Sequence, residues 1–248
     1  MSLFGPWAGL WRSIRVYHLD RAHHRAMDAL YARFVRPGDL VFDIGAHVGD
    51  RVSSFRRLGA RVVALEPQRG PAAVIGLLHG LDREVTILRA AAGAAEGSLT
   101  LQVNSRNPTV TTASADFVRS AAGAPGWDGQ VWDASVTVPM VTLDGLRARF
   151  GEPAFVKIDV EGFEDEVLRG AVRPLRALSF EFTTIQRDVA HRALDRLSAL
   201  GLYRFNVALG ETQTLALAAD VTGPEMSAFI DGLPAQANSG DVYAVLNG

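Results

Sequence analysis

The 248 residues carry a formal net charge of −2, are 48% hydrophobic and 21% charged, and include six histidines and no cysteine. That length suits one well-buried domain rather than two large ones. The missing cysteines exclude disulfides, thiolate zinc sites and cysteine nucleophiles, and the balanced charge, with no basic block, argues against duplex nucleic acid as a partner.

Taken in chain order, the start MSLFGPWAGLWRSIR places Phe4, Trp7, Trp11 and Ile14 at three- and four-residue steps, on one face of a helix. Docking of that face on the protein's own domain is the favoured reading. Peripheral contact with a membrane or a partner through the aromatics is the alternative. No run approaches the roughly 18 apolar residues of a membrane span, and the basic n-region and cleavage pattern of a secretory signal are absent. A cytoplasmic location is expected. Residues 15–35 continue with helical spacing and stop at Arg36-Pro37-Gly38. Residues 1–38 thus read as an N-terminal helical extension, and 39–248 as a single domain.

From residue 40 the period changes. LVFDIG (40–45), RVVALEP (61–67) and VTILRAA (85–91) read as buried strands, separated by helical stretches at 50–59 and 71–80. SLTLQV (98–103) and SVTVPMV (135–141) read as further strands. Between them, 104–134 is polar and small-residue-rich, with Trp127 and Trp132, and is either a binding loop or lid or a surface excursion. The rhythm resumes with AFVKIDV (154–160), a helix at 162–170, ALSFEFT (177–183), a helix at 188–200 and LYRFNVAL (202–209). DVYAVLN (241–247) reads as an antiparallel strand closing the sheet. The fold class is α/β: a doubly wound, mostly parallel sheet with an antiparallel last strand.

Chemistry concentrates first in Asp43-Ile-Gly45-Ala46-His47-Val-Gly49-Asp50, where the first strand turns into the first helix. Backbone amides and a helix N-terminus meet a cofactor at such a turn, and glycine permits close approach and positive φ. Glu66 ends the second strand about 20 positions after Gly45, where a carboxylate accepts the two hydroxyls of a ribose. That pair indicates a nucleoside without saying which. Asp43 separates the choices, since a carboxylate at the end of strand one repels a pyrophosphate but suits an ammonium and a sulfonium. The G-x-G-x-x-G pattern is also missing, so S-adenosylmethionine is favoured over NAD.

The second cluster is Phe155-Val-Lys157-Ile158-Asp159-Val160-Glu161-Gly162-Phe163-Glu164. If the strand stays extended, Lys157, Asp159 and Glu161 share one side, beside the reactive end of the cofactor. Structural ion pairs at a solvated strand end are the alternative. Burying three unpaired ionisable groups costs roughly several kcal/mol each, which favours a catalytic reason for them.

VFDIGAHVGD, ALEP, VTLDGL and FVKIDVEGFEDEVLRG together resemble the FkbM family of methyltransferases over about residues 39–182. The resemblance implies a Rossmann-like class I methyltransferase fold and O-methylation of natural products, sugars or glycolipids. It implies cofactor contacts at Asp43, Gly45, Ala46, Gly49 and Glu66, with Ala91 at the end of the third strand and Asp159 facing the methyl group. His47 and His79 stand where the family often has Asn. Glu181-Phe-Thr183 lacks the histidine common nearby, which leaves the general base open between Asp159 and Glu161, with Lys157 anchoring an acidic group or positioning Asp159.

The expected partner is a hydroxylated small molecule or sugar. Nucleic acid is disfavoured because no Asn/Asp-Pro-Pro-aromatic tetrad follows the fourth strand, and a homodimer is compatible with the chain. Asp159, Glu161 and Glu181 are oxygen ligands suited to magnesium, but no Asp-Asn pair completes a catechol-type site and no metal is expected. The histidines lack zinc-ligand spacing. A nicotinamide oxidoreductase and a non-catalytic S-adenosylmethionine-binding partner subunit are the alternative functions.

Overall fold

A computed structural model describes residues 20–247, so the aromatic stripe of Phe4, Trp7 and Trp11 lies outside the described residues. Helix α1 (Arg21–Tyr31) starts at Asp20, whose carboxylate accepts from the Ala22 and His23 amides, and it buries Met27, Leu30 and Tyr31. Strand β1 (Leu40–Ile44) then leads through α2 (Asp50–Arg57) to β2 (Arg61–Leu65), and through α3 (Arg69–His79) to β3 (Val85–Leu88). These three strands pair in parallel, each joined to the next by a helical crossover.

The expected strand over 85–91 divides. Val85–Leu88 stays with β2, whereas β4 (Ala91–Ala92) leaves for a second sheet with β5 (Gly97–Val103) and β6 (Ala134–Val141), in the order β4-β6-β5. The intervening stretch holds one 3₁₀ turn at Pro108–Val110 and helix α4 (Ala115–Ala121). Helix α5 (Leu143–Phe150), capped by the Thr142 hydroxyl, returns the chain to β7 (Phe155–Ile158). Then follow α6 (Glu164–Arg169), β8 (Ala177–Thr183), α7 (Arg187–Leu200), β9 (Tyr203–Leu209), α8 (Gly223–Gly232) and β10 (Ser239–Leu246).

The main sheet has seven strands in the order β3-β2-β1-β7-β8-β10-β9. It is a class I Rossmann-like sheet, mostly parallel with an antiparallel end. The last strand does not close the edge as its position in the chain suggests; it inserts between β8 and β9, antiparallel to both. Its Asp241–Tyr243 core is fully covered for that reason. Helix α8 has no counterpart in the sequence reading; it is fixed by a capping box between Thr222 and Glu225.

Alternation along β1 feeds both faces. Phe42 and Ile44 join Val156, Leu178 and Phe180 under α5 to α8, while Val41 joins Phe155, Tyr31, Phe55 and Ile75 under α1 to α3. Tyr31, Phe34, Phe55 and Phe155 pack in stacked, tilted and edge-on pairs with ring centroids 4.6–6.1 Å apart. No helix among the described residues is long and apolar enough to cross a membrane. Phe42 has no exposed surface, so Phe42→Ala should cost about 3–5 kcal/mol and lower the melting midpoint by roughly 10 °C in a thermal melt.

Candidate active site

From β1 the chain runs outward through β2 and β3, then crosses back to β7 on the other side of β1. The strand order reverses between β1 and β7, which opens a crevice at their carboxyl ends. A cavity of about 300 Å³ lies there, lined by Asp43, Gly45, Ala46, His47, Glu66, Ala91, Lys157, Asp159, Glu161 and Glu181, among others. Of the cofactor and catalytic residues expected from the sequence, Gly49 alone does not line it.

The turn after β1 is built around close backbone approach. Gly45 has φ of +86°, and a Cβ there would stand 1.8 Å from the carbonyl oxygen of Asp159. The amides of Gly45 and Ala46 both donate to the Leu65 carbonyl, at 3.0 and 2.9 Å. They hold β1 and β2 together rather than pointing at a ligand. Gly49, at φ +80°, admits Ile75 of α3, whose Cγ1 would lie 3.1 Å from a Cβ. Its role is packing at the start of α2.

Glu66 is anchored at both oxygens, accepting from the His47 amide at 2.9 Å and the Gln68 amide at 2.8 Å. Each oxygen keeps a lone pair for a hydroxyl donor in the cavity. Burial pushes its carboxyl up to about 8 against those two amide bonds. Asp43 is 1% exposed, and its Oδ2 has no hydrogen-bond partner among the described residues. Burial, reinforced by Asp50 and opposed by Lys157, pushes its carboxyl up to about 7.

The second cluster assembles differently from a simple strand edge. β7 ends at Ile158, so the extended alternation that would carry Lys157, Asp159 and Glu161 to one side stops short. Glu161 reaches the cavity through a left-handed turn, with φ of +56°. The Glu164 carboxylate closes that turn by accepting from the Val160 and Gly162 amides at 3.0 and 3.1 Å, and the Thr112 hydroxyl donates to the Glu161 carbonyl at 2.6 Å.

Lys157, 1% exposed, reaches Asp241 Oδ1 at 2.6 Å and Asp159 Oδ2 at 3.2 Å. Burial works against its charge, but the two carboxylates outweigh that and raise its pKa. Burial would likewise raise Asp159, yet Lys157 and Arg51 hold it below the usual range. Burial and the neighbouring Asp159 push Glu161 and Glu181 well above theirs. One oxygen from each of Asp159, Glu161 and Glu181 lies within 4.8 Å of the others.

Part of the 104–134 segment lines the cavity through Pro108, Thr109, Thr111 and Trp127. Gln68 ties this segment to the end of β2, donating to the Pro108 carbonyl at 3.0 Å and accepting from the Thr111 hydroxyl at 3.1 Å. The Trp127 indole packs edge-on against Phe117 at 5.0 Å and donates to Asn238 Oδ1 at 3.1 Å.

Residues 43–205 match the methyltransferase FkbM domain. The chain belongs to the FkbM methyltransferase family. It is a methyltransferase whose cofactor is S-adenosylmethionine. No curated protein matches the chain. Among solved structures, it is similar to the precorrin-6y C5,15-methyltransferase of Geobacter metallireducens, with 12% identity, a TM-score of 0.49, and 92% of this chain and 90% of that one covered. An O-methyltransferase from Bacillus cereus in complex with SAH is similar at 11% identity and TM-score 0.48, covering 96% and 90%. Fibrillarin from Aeropyrum pernix, with bound S-adenosyl-L-methionine, shows 14% identity and TM-score 0.47, covering 90% and 76%.

The residues of this FkbM methyltransferase fit its cofactor. The unpartnered, buried Oδ2 of Asp43 offers a place for the ammonium, and the two anchored oxygens of Glu66 suit a ribose diol. Arg51, Gln68 and Asn238 also line the cavity and Asp241 bonds its Lys157, and all four went unnoticed in the sequence. Only Asp241 left a signal there, as an acid opening an otherwise apolar run.

Two predictions test this geometry. Gly45→Ala should cost at least about 2 kcal/mol, from the positive φ and the backbone clash, and should abolish S-adenosylhomocysteine binding by calorimetry. Asp43 holds its proton in the folded chain up to about pH 7 but releases it near 3.8 when unfolded. Its contribution to stability therefore falls as pH rises between those values. Melting curves of Asp43→Asn and the native cofactor-free protein should nearly coincide at pH 4 and separate in favour of the variant up to about pH 7.

Proposed function

We propose that the chain transfers the methyl group to a hydroxyl of a small molecule, sugar or glycolipid. The observation that carries this reading is the carboxylate group of Asp159, Glu161 and Glu181 at the acceptor end of the cavity, with Asp159 held ionised by Lys157. Bound S-adenosylmethionine supplies an electrophilic methyl group on a sulfonium.

Carboxylates accept O–H donors and repel phosphates and carboxylates, so a neutral hydroxylated acceptor fits this end of the cavity and an anionic one does not. Asp43 and Glu66 hold the two ends of the cofactor, which fixes the direction from which the acceptor oxygen approaches. Such positioning contributes about 7–11 kcal/mol in favourable cases. Asp159 then receives the hydroxyl proton, which contributes roughly 10²–10⁴-fold. Lys157 acts through Asp159, fixing the carboxylate's orientation and keeping it ionised, and Glu161 orients the hydroxyl beside it. The lining of Pro108, Thr109, Thr111 and Trp127 excludes water from the reacting atoms.

Radiolabelled methyl transfer to a panel of neutral polyols and phenols tests the reading, with anionic sugar phosphates as the contrast. Asp159→Asn should lower turnover by at least about 100-fold while S-adenosylhomocysteine affinity, read by calorimetry, stays within a few-fold. Full turnover in the variant would remove Asp159 from this role.

A further inference from the structure

We propose that Asp159, Glu161 and Glu181 form a binding site for one hard divalent cation, of the magnesium or manganese class, at the acceptor end of the cavity. Each offers one carboxylate oxygen, and the three oxygens lie within 4.8 Å of one another. A cation touching all three at the roughly 2.0–2.6 Å of oxygen ligation requires a span of that size.

A second observation points to a ligand that the chain itself does not provide. Glu161 is only 8% exposed and lines the cavity, yet its carboxylate has no hydrogen-bond partner among the described residues. Glu181 shares a hydrogen bond with Asp159, but its Oε2 is fully sheltered and has no partner among the described residues. Buried polar groups are nearly always paired, and unpaired carboxylates are expensive to bury. Lys157 does not fill the gap, because its ammonium is spent on Asp159 and Asp241.

The frame that holds the three oxygens is rigid. Glu181 sits inside β8, paired in register with Asp241 of β10. Glu161 is fixed by its left-handed turn, the Thr112 hydroxyl and the amide bonds to Glu164. An all-oxygen set selects hard cations over thiophilic ones. The Asp159 side chain is 31% exposed, so the site keeps open coordination positions toward the cavity for water or an acceptor oxygen. A hydroxyl bound there is oriented and made more acidic, and two adjacent hydroxyls chelate better than one. The acceptor part rests on hydroxyl methylation as the reaction; the cation site does not.

Manganese titrated into chelator-treated, full-chain protein tests the site, with the free-ion electron paramagnetic resonance signal as the readout. One manganese per chain is expected, displaceable by magnesium. Glu161→Gln and Glu181→Gln should each weaken it at least about tenfold, and Glu84→Gln on the exposed far side should not. Melting curves establish that each variant is folded; should one fail, the other and the native stoichiometry decide. No stoichiometric uptake, or equal uptake by the native chain and the Gln variants, overturns the proposal. S-adenosylhomocysteine binding by the chelated protein separates the two readings. Its retention without manganese binding removes only the cation site, whereas its loss removes the cofactor assignment beneath the proposed reaction.

Discussion

Lys157 carries a positive charge with 1% of its surface exposed, between Asp159 of its own strand end and Asp241 of β10. Removing an ammonium from water is costly, and only well-placed opposite charges offset it. The two carboxylates depend on the lysine in turn, because burial disfavours their charge and Lys157 opposes that. The ion pair thus fastens β7 to β10 across β8 and lets acidic groups converge where a sheet interior would otherwise reject them. Taking away the lysine leaves buried carboxylates unbalanced. Taking away either carboxylate leaves less to hold the lysine charged.

Where that charge sits is dictated by the order of the strands. β1 and β7 are neighbours in the sheet but far apart in sequence, and their connections leave on opposite sides. The crevice between the departing turns is narrow: Gly45 passes so close to the Asp159 carbonyl that a Cβ would fall 1.8 Å from it. The same closeness places Asp43 and Asp159, from the two halves of the fold, on one cavity. A glycine requirement and an acidic site are therefore two consequences of a single crossing.

Much of this was legible because it is local. The parallel strands follow from short apolar runs, and Gly45, Glu66 and Lys157 are marked by their position at strand ends. Features made by distant pairings were not. Asp241 gains its meaning only when β10 inserts between β8 and β9, and nothing in DVYAVLN distinguishes an inserted strand from an edge one. Ala91 belongs to a run that reads as one strand but is shared between two sheets. In 104–134 the periodicity is too weak to announce α4, although Phe117, Ala121 and Trp127 make a small core of their own. The extended reading of 157–161 failed at Glu161 because a left-handed residue there is stabilised by Thr112 and Glu164 from outside the strand.

The carboxylates of the cavity fall into two kinds, and their partners tell them apart. Glu66 already receives two backbone amides, so its shape and direction are set before any ligand arrives; such a group reads a fixed feature, like the diol of a ribose. Glu161 and Glu181 receive no such backbone bonds, and Asp159 is held by Lys157 and by a hydrogen bond shared with Glu181. A group held by the backbone recognises a fixed feature, whereas one left unpaired awaits a ligand to complete it, a cationic group for Asp43 Oδ2 and a proton, a cation or an approaching hydroxyl for Glu161 and Glu181. In the proposed reaction this division runs along the cavity, with the prepaid carboxylate toward the nucleoside and Glu161 and Glu181 toward the acceptor. That gradient gives the cavity a direction, and a direction is what transfer from a donor to an acceptor requires.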